Sequence, residues 1–274
     1  MYKKIIIATD GAEQSGSAVV EAINIAAKSN SEIYLLHVLK IVVGVDSVGG
    51  ISTLSLMQKL EESSKKYMKT FKGLAADDGV LKCETIIRHG VDFYTAIIDE
   101  TKKKNADLIM IGRKNPSHPL KRFFLGSVTG KILTQSPCDI LVVPLASLVQ
   151  WEKLMVPVIN DYDIDSVISK TIPLAKQNKS KILLIGIYSE EQIKNNVEKK
   201  LTEYSSEFTK EQIPCESVCT YGNPVEIINK TALHNNADII LMKDLKDKSI
   251  KNLFYGSLAE QVIVNSISSI LILK

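Results

Sequence analysis

Three short segments carry residues able to do chemistry. Asp10 and Gly11 follow Ala8 and Thr9 at the end of one apolar run. Gly112-Arg113-Lys114-Asn115-Pro116 follows another, which ends at Ile111, and Gly126-Ser127-Val128-Thr129 opens a segment with helical spacing. A helix that starts on a small residue and hydroxyls offers free N–H groups and a positive dipole end, which suits an anion. Arg113, Lys114, Lys121 and Arg122 add positive charge nearby. The chemistry implied is the holding of a phosphate or similar group. Plainer readings stand beside it: Asp10 as a cap of the next helix, and Gly126-Ser127 as an ordinary N-cap.

Other constellations lead nowhere. Gly126 to Lys131 resembles a P-loop, but its spacing is wrong and Ile132 stands where a hydroxyl must bind magnesium. His37, His89, His118 and His234 have no patterned Ser, Cys or Asp partners, so no catalytic centre is expected. Cys215 and Cys219 are four apart with no histidine close by, and four cysteines in this length read as reduced thiols without a metal.

The elements that must position these segments come as a repeat. Cys83-Glu84-Thr85-Ile86-Ile87 returns as Cys215-Glu216-Ser217-Val218-Cys219, an offset of 132. Asn105-Ala106-Asp107 returns as Asn236-Ala237-Asp238 at 131, and Phe124-Leu125-Gly126-Ser127 as Phe254-Tyr255-Gly256-Ser257 at 130. Leu36-His37-Val38 matches Ile185-Gly186-Ile187 at 149, so the first copy carries about 17 extra residues (149 minus 132). The Gly-, Ser- and Val-rich stretch Ile41 to Ser52 is where a surface loop would hold them. The expected domains are 1–147 and 151–274, joined near Ala146 to Trp151.

In the first copy, Lys3–Thr9, Glu32–Val38, Lys82–Arg88, Asp107–Gly112 and Asp139–Pro144 read as strands. They are apolar runs without alternation, as in parallel sheets covered on both faces. Ser15–Ser29, Ser52–Ala76, Val91–Asn105 and Gly126–Gln135 have helical spacing. The fold class is therefore α/β: two tandem doubly wound domains, each a five-stranded parallel sheet with helices on both faces. Such sheets bind ligands beyond the carboxyl ends of their strands, where the three segments lie. The last strands, Asp139–Pro144 and Ser269–Leu273, are apolar edges expected to pair, within the chain or crosswise with a second chain.

Together these features resemble the universal stress protein family, over the whole chain and twice. The features are Asp10 after strand one, His37-Val38 closing strand two, Gly90 before the third helix, the Asn-Ala-Asp-Leu-Ile-Met-Ile-Gly run, the helix-opening Gly-Ser, and Ser136-Pro137-Cys138-Asp139 leading the last strand. The resemblance implies an adenine nucleotide α-hydrolase-like fold, a stress-response role and edge pairing about a two-fold axis as a dimer. In one branch it also implies ATP or another adenine nucleotide, with or without Mg2+. On that pattern Asp10 meets ribose or adenine, and Val38 meets adenine through its backbone. Gly112, Gly126, Ser127 and Thr129 hold the phosphates, and their neighbours Ala8, Thr9, Ile111, Arg113 and Val128 are expected in the same nucleotide site. The first copy departs from the family's Gly-x-x-Gly, nine residues, Gly-Ser by having Asn115 and one extra residue. The second departs further: Lys243 and Lys246 replace Gly112 and Asn115, and Ile159 or Asn160 replaces Asp10.

Composition agrees with that picture. The 274 residues suit two domains of about 137, and 45% hydrophobic with 24% charged residues is ordinary for globular chains. Thirty-four basic against 31 acidic residues leaves +3, too balanced for a nucleic-acid partner. No run approaches the roughly 20 apolar residues of a membrane span. Tyr2-Lys3-Lys4-Ile5-Ile6-Ile7 enters a strand at once, which leaves no room for a signal peptide and makes cytoplasm the expected location. The expected function is stress response with a regulatory adenine nucleotide in the first copy, and at most weak ATP hydrolysis. An interaction or scaffold protein without nucleotide is the alternative, and an ATP-using adenylate-forming or sulfur-transfer enzyme is a third reading.

Overall fold

The structure, a computed structural model, describes residues 2–11, 13–40, 47–48, 51–113, 126–145, 149–243 and 257–274. The first half runs β1 (Lys4–Thr9), α1 (Glu13–Ser29), β2 (Glu32–Lys40), β3 (Ser47–Val48), β4 (Ile51–Ser52), α2 (Thr53–Asp77), β5 (Cys83–Gly90), α3 (Phe93–Lys104), β6 (Leu108–Arg113), α4 (Ser127–Gln135) and β7 (Asp139–Pro144). The second runs β8 (Lys153–Ile159), α5 (Asp165–Asn178), β9 (Lys181–Tyr188), α6 (Glu191–Lys210), β10 (Cys215–Tyr221), α7 (Pro224–His234), β11 (Ile239–Lys243), α8 (Leu258–Asn265) and β12 (Ser269–Leu273). Within the stretch expected as a loop, β3 and β4 form a short antiparallel hairpin.

The main strands form one ten-stranded sheet in the order β5-β2-β1-β6-β7-β12-β11-β8-β9-β10. Within each half the neighbours are parallel, and β7 meets β12 antiparallel, with Val142, Leu141 and Ile140 opposite Ile270, Leu271 and Ile272. The two last strands thus cover each other inside one chain. Helices on both faces explain the unbroken apolar runs: Ile5, Ile6 and Ile7 are all fully buried although alternate side chains enter opposite layers.

The repeated Asn-Ala-Asp has a structural cause in each half. Asn105 (φ 50°) and Asn236 (φ 51°) take the left-handed conformation that ends the preceding helix, which asparagine tolerates better than most residues. Two residues on, the Asp107 carboxylate accepts from Lys3 N and Lys4 N at 2.8 and 3.0 Å. Asp238 accepts from Glu152 N and Lys153 N at 2.7 and 2.8 Å. Each aspartate pins the start of its copy's first strand to the neighbour that strand must pair with.

Candidate functional site

The carboxyl ends of β1, β2 and β6 and the first turns of α3 and α4 enclose a crevice of about 390 Å³. Its apolar walls are Ala8, Leu36, Val38, Phe93, Ile97, Ile111, Val128 and Ile132, and its polar rim is Thr9, Asp10, Ser15, Gly112 and Thr129. Ala8, Thr9 and Asp10, Val38, Ile111 and Gly112, and Val128 and Thr129 were all named from the sequence, and they converge here. Gly126 and Ser127 sit at the start of α4, where the Gly126 carbonyl accepts from Gly130 N at 3.0 Å. Lys114, Asn115, Lys121 and Arg122 lie outside the described residues.

Ser15, Leu36, Phe93, Ile97 and Ile132 were not anticipated. Leu36 was legible, since it stands two before Val38 and a strand places both on one face. Phe93 and Ile97 lie one turn apart at the start of α3, and nothing local marks that helix as a wall.

Arg113, named from the sequence beside Gly112, is not among the described residues that line the crevice. Its guanidinium donates to the carbonyl of Val264 at 2.9 Å and to that of Ser266, at the end of α8. The reason is the antiparallel junction. Val142 pairs with Ile111 on one side and Ile270 on the other, so the end of α8 arrives beside the end of β6. Burial lowers the Arg113 pKa to about 10, which leaves it charged at neutral pH.

The polar rim is wired by hydroxyl groups. Ser15 Oγ donates to Asp10 Oδ1 at 2.8 Å, and Thr9 Oγ1 donates to Ser15 Oγ at 2.9 Å. Thr9 Oγ1 also lies 3.0 Å from Tyr67 Oη of α2 and accepts from Gly11 N at 3.2 Å. Each hydroxyl has one proton, so with Ser15 giving its own to the carboxylate, Tyr67 must donate to Thr9. Ser15 is thus oriented with its proton toward the Asp10 carboxylate. His37, in register with Thr9, is 7% exposed, and among the described residues its Nδ1 has no hydrogen-bond partner. Burial holds its pKa below the usual imidazole value, against the opposing pull of Asp10.

The fold has relatives. Residues 1–144 match the model of the universal stress protein family. The chain belongs to this family. A universal stress protein of Methanocaldococcus jannaschii is 35% identical over 145 residues, 52% of this chain and 82% of that protein. One from Bacillus subtilis is 31% identical over 150 residues, again 52% of this chain and 99% of the relative. The crystal structure of a universal stress protein from Archaeoglobus fulgidus superposes with a TM-score of 0.78, covering 99% of this chain and 96% of that one at 21% identity. The chain is a universal stress protein with two such α/β units.

The corresponding strand ends of the second unit are built differently. Ile5 lies opposite Leu108 and Leu154 opposite Ile239, which sets the first-strand offset at 149 (154 minus 5) and matches Asp10 to Ile159. At the position of Gly112, the Lys243 ammonium pairs with Asp163 at 2.8 Å. The Tyr162 hydroxyl accepts from Lys243 N at 2.8 Å and donates to Lys243 O at 3.1 Å. Lys243 holds the Asp163 carboxyl below the usual range, helped by the Asp165 backbone N–H. A universal stress protein unit thus meets its own strand end with its own side chains.

Proposed function

We propose that the chain is a stress-response protein that holds an adenine nucleotide, ATP foremost, in the crevice of its first unit as a regulatory ligand. The observation that carries this is the convergence of Ala8, Thr9, Asp10, Val38, Ile111, Gly112, Val128 and Thr129 on one crevice with apolar faces and a polar rim. A flat base fits between apolar faces, with the hydrogen-bonding groups at the rim free to orient a sugar. Val38 would meet adenine, Asp10 ribose or adenine, and Gly112, Gly126, Ser127 and Thr129 the phosphates, with Mg2+ as a possible companion.

Gly126 supports the same reading. Its φ is −56°, which any residue adopts, and among the described residues nothing stands within 4 Å of where a Cβ would be. Among the described residues neither packing nor backbone conformation requires glycine there, and a glycine leaves the start of α4 open to close approach by a ligand.

In the second unit, Lys243 and Asp163 stand where the phosphates would approach, and we read that unit, residues 151–274, as a built-in partner for residues 1–147. Placement in the cytoplasm belongs to the same reading. Among the described residues no helix is long and apolar enough to cross a membrane. Mass spectrometry of the ligand released by heating the purified protein tests the proposal: an adenine nucleotide near one per chain is expected. Absence of any adenine nucleotide, with no binding of added ATP, would leave the scaffold reading.

A further inference from the structure

Two contacts run from the second unit to the walls of the first unit's crevice. Arg113, joined by a peptide bond to the crevice residue Gly112, donates to the Val264 and Ser266 carbonyls. Those carbonyls close α8, where a helix leaves acceptors unsatisfied and carries partial negative charge. From the other side, Lys274 Nζ donates to the Leu133 carbonyl in the last turn of α4, whose first turn supplies Val128 and Thr129. The Lys274 backbone is itself anchored, its N–H donating to the buried Asp139 carboxylate at 2.9 Å. Lys170 Nζ at 3.0 Å and Tyr2 Oη at 2.9 Å complete that anchor. Between the two contacts α4 and α8 nearly touch, since a Cβ on Gly130 would stand 3.6 Å from Glu260 Oε1.

We propose that Arg113 is a positioning residue for the crevice: through its clamp on the end of α8, the second unit sets the ligand affinity of the first. This rests on the adenine-nucleotide reading above. Leaving the α8 carbonyls would cost the half-buried guanidinium two charge-assisted hydrogen bonds, so the end of β6 and Gly112 are held from across the junction. The coupling is reciprocal: a ligand that needs Gly112 in this position must in turn steady the end of α8.

The test uses the full chain and two probes, ATP and adenosine. Calorimetric titration of Arg113→Met should show both affinities weakened by the same factor, roughly three- to thirtyfold for a residue that carries coupling. Arg113→Lys, which keeps the charge but not the fork, should recover part of the loss. In the wild-type protein, ATP should slow amide hydrogen exchange at residues 262–266, the last turn of α8 and its C-cap, a reading that needs no variant to fold. Weakening of ATP alone would make Arg113 a phosphate contact and overturn the proposal. Unchanged affinities, or unchanged exchange at the end of α8 when ATP is bound, would overturn it too. A wild-type protein that binds neither probe would remove the nucleotide reading itself, before any variant is made.

Discussion

Leu141 and Leu271 face each other across the antiparallel β7–β12 pair, and each is the other's counterpart in the repeat, 130 residues apart (271 minus 141). A residue paired with its own repeat partner marks an axis of local two-fold symmetry. The ten-stranded sheet is therefore continuous through that axis, and the parallel strands of the two units run in opposite directions.

Breaking this seam should damage both halves. Val142→Pro removes a backbone donor from a fully buried strand that has neighbours on both sides. An unsatisfied buried partner costs about 1–3 kcal/mol, and strain adds to it. The melting temperature should fall by several degrees and the protein should swell or aggregate. A variant with wild-type hydrodynamic radius and melting temperature would contradict the assignment of this seam.

Nucleotide stoichiometry should be one per chain and never two. Gly112 and Asp10 have Lys243 and Ile159 as counterparts, and each lost hydrogen bond to a charged group costs about 1.5–3 kcal/mol. Two such losses weaken binding by roughly a hundredfold or more. Gly126→Val should abolish ATP binding with little change in melting temperature, whereas Gly256→Val should leave binding intact. Equal sensitivity at both glycines in a calorimetric titration would contradict this asymmetry.

The hydroxyl chain should behave as a unit. Ser15→Ala and Tyr67→Phe should each cost about 0.5–1.5 kcal/mol in denaturant unfolding. The double variant should cost less than their sum, because Thr9 links them and groups in one network are not additive. Strict additivity would mean that the chain is not cooperative.

Stability should fall in mild acid on account of His37. Its folded pKa is depressed by burial, so the unfolded chain takes up the proton first. The folded state keeps its full stability above the ordinary imidazole value near 6.5 and loses it as pH drops below that value. Chemical unfolding at pH 7 and at pH 5.5 should show a smaller loss in His37→Gln than in the wild type. Parallel losses would exclude His37 as the source.

Much of this was legible in the residues. Runs such as Ile5-Ile6-Ile7 announce parallel strands, and the paired Asn-Ala-Asp segments give the duplication, while the first strands' register, open by one residue in the sequence, comes from the pairing of Ile5 with Leu108 and of Leu154 with Ile239. Val38 and Ile111 follow from the rule that ligands sit at strand ends. Arg113 shows the limit. Strand parity puts it on the same face as Ile111, but no local pattern says that α8, about 150 residues away in sequence, ends there. Phe93 and Ile97 were missed for a related reason: their spacing marks a buried helix face without saying what lies opposite.

The β7–β12 seam also changes how the molecule responds to dilution. Two separate chains held by such an edge would part as their concentration fell below the dissociation constant. Here the partners share one backbone, so encounter is intramolecular and independent of concentration. The second unit keeps its place at the seam however scarce the protein becomes, and its own strand ends are free to diverge because covering the neighbour's edge asks nothing of them. A scarce chain would still present one whole sheet and, on the reading above, one working site.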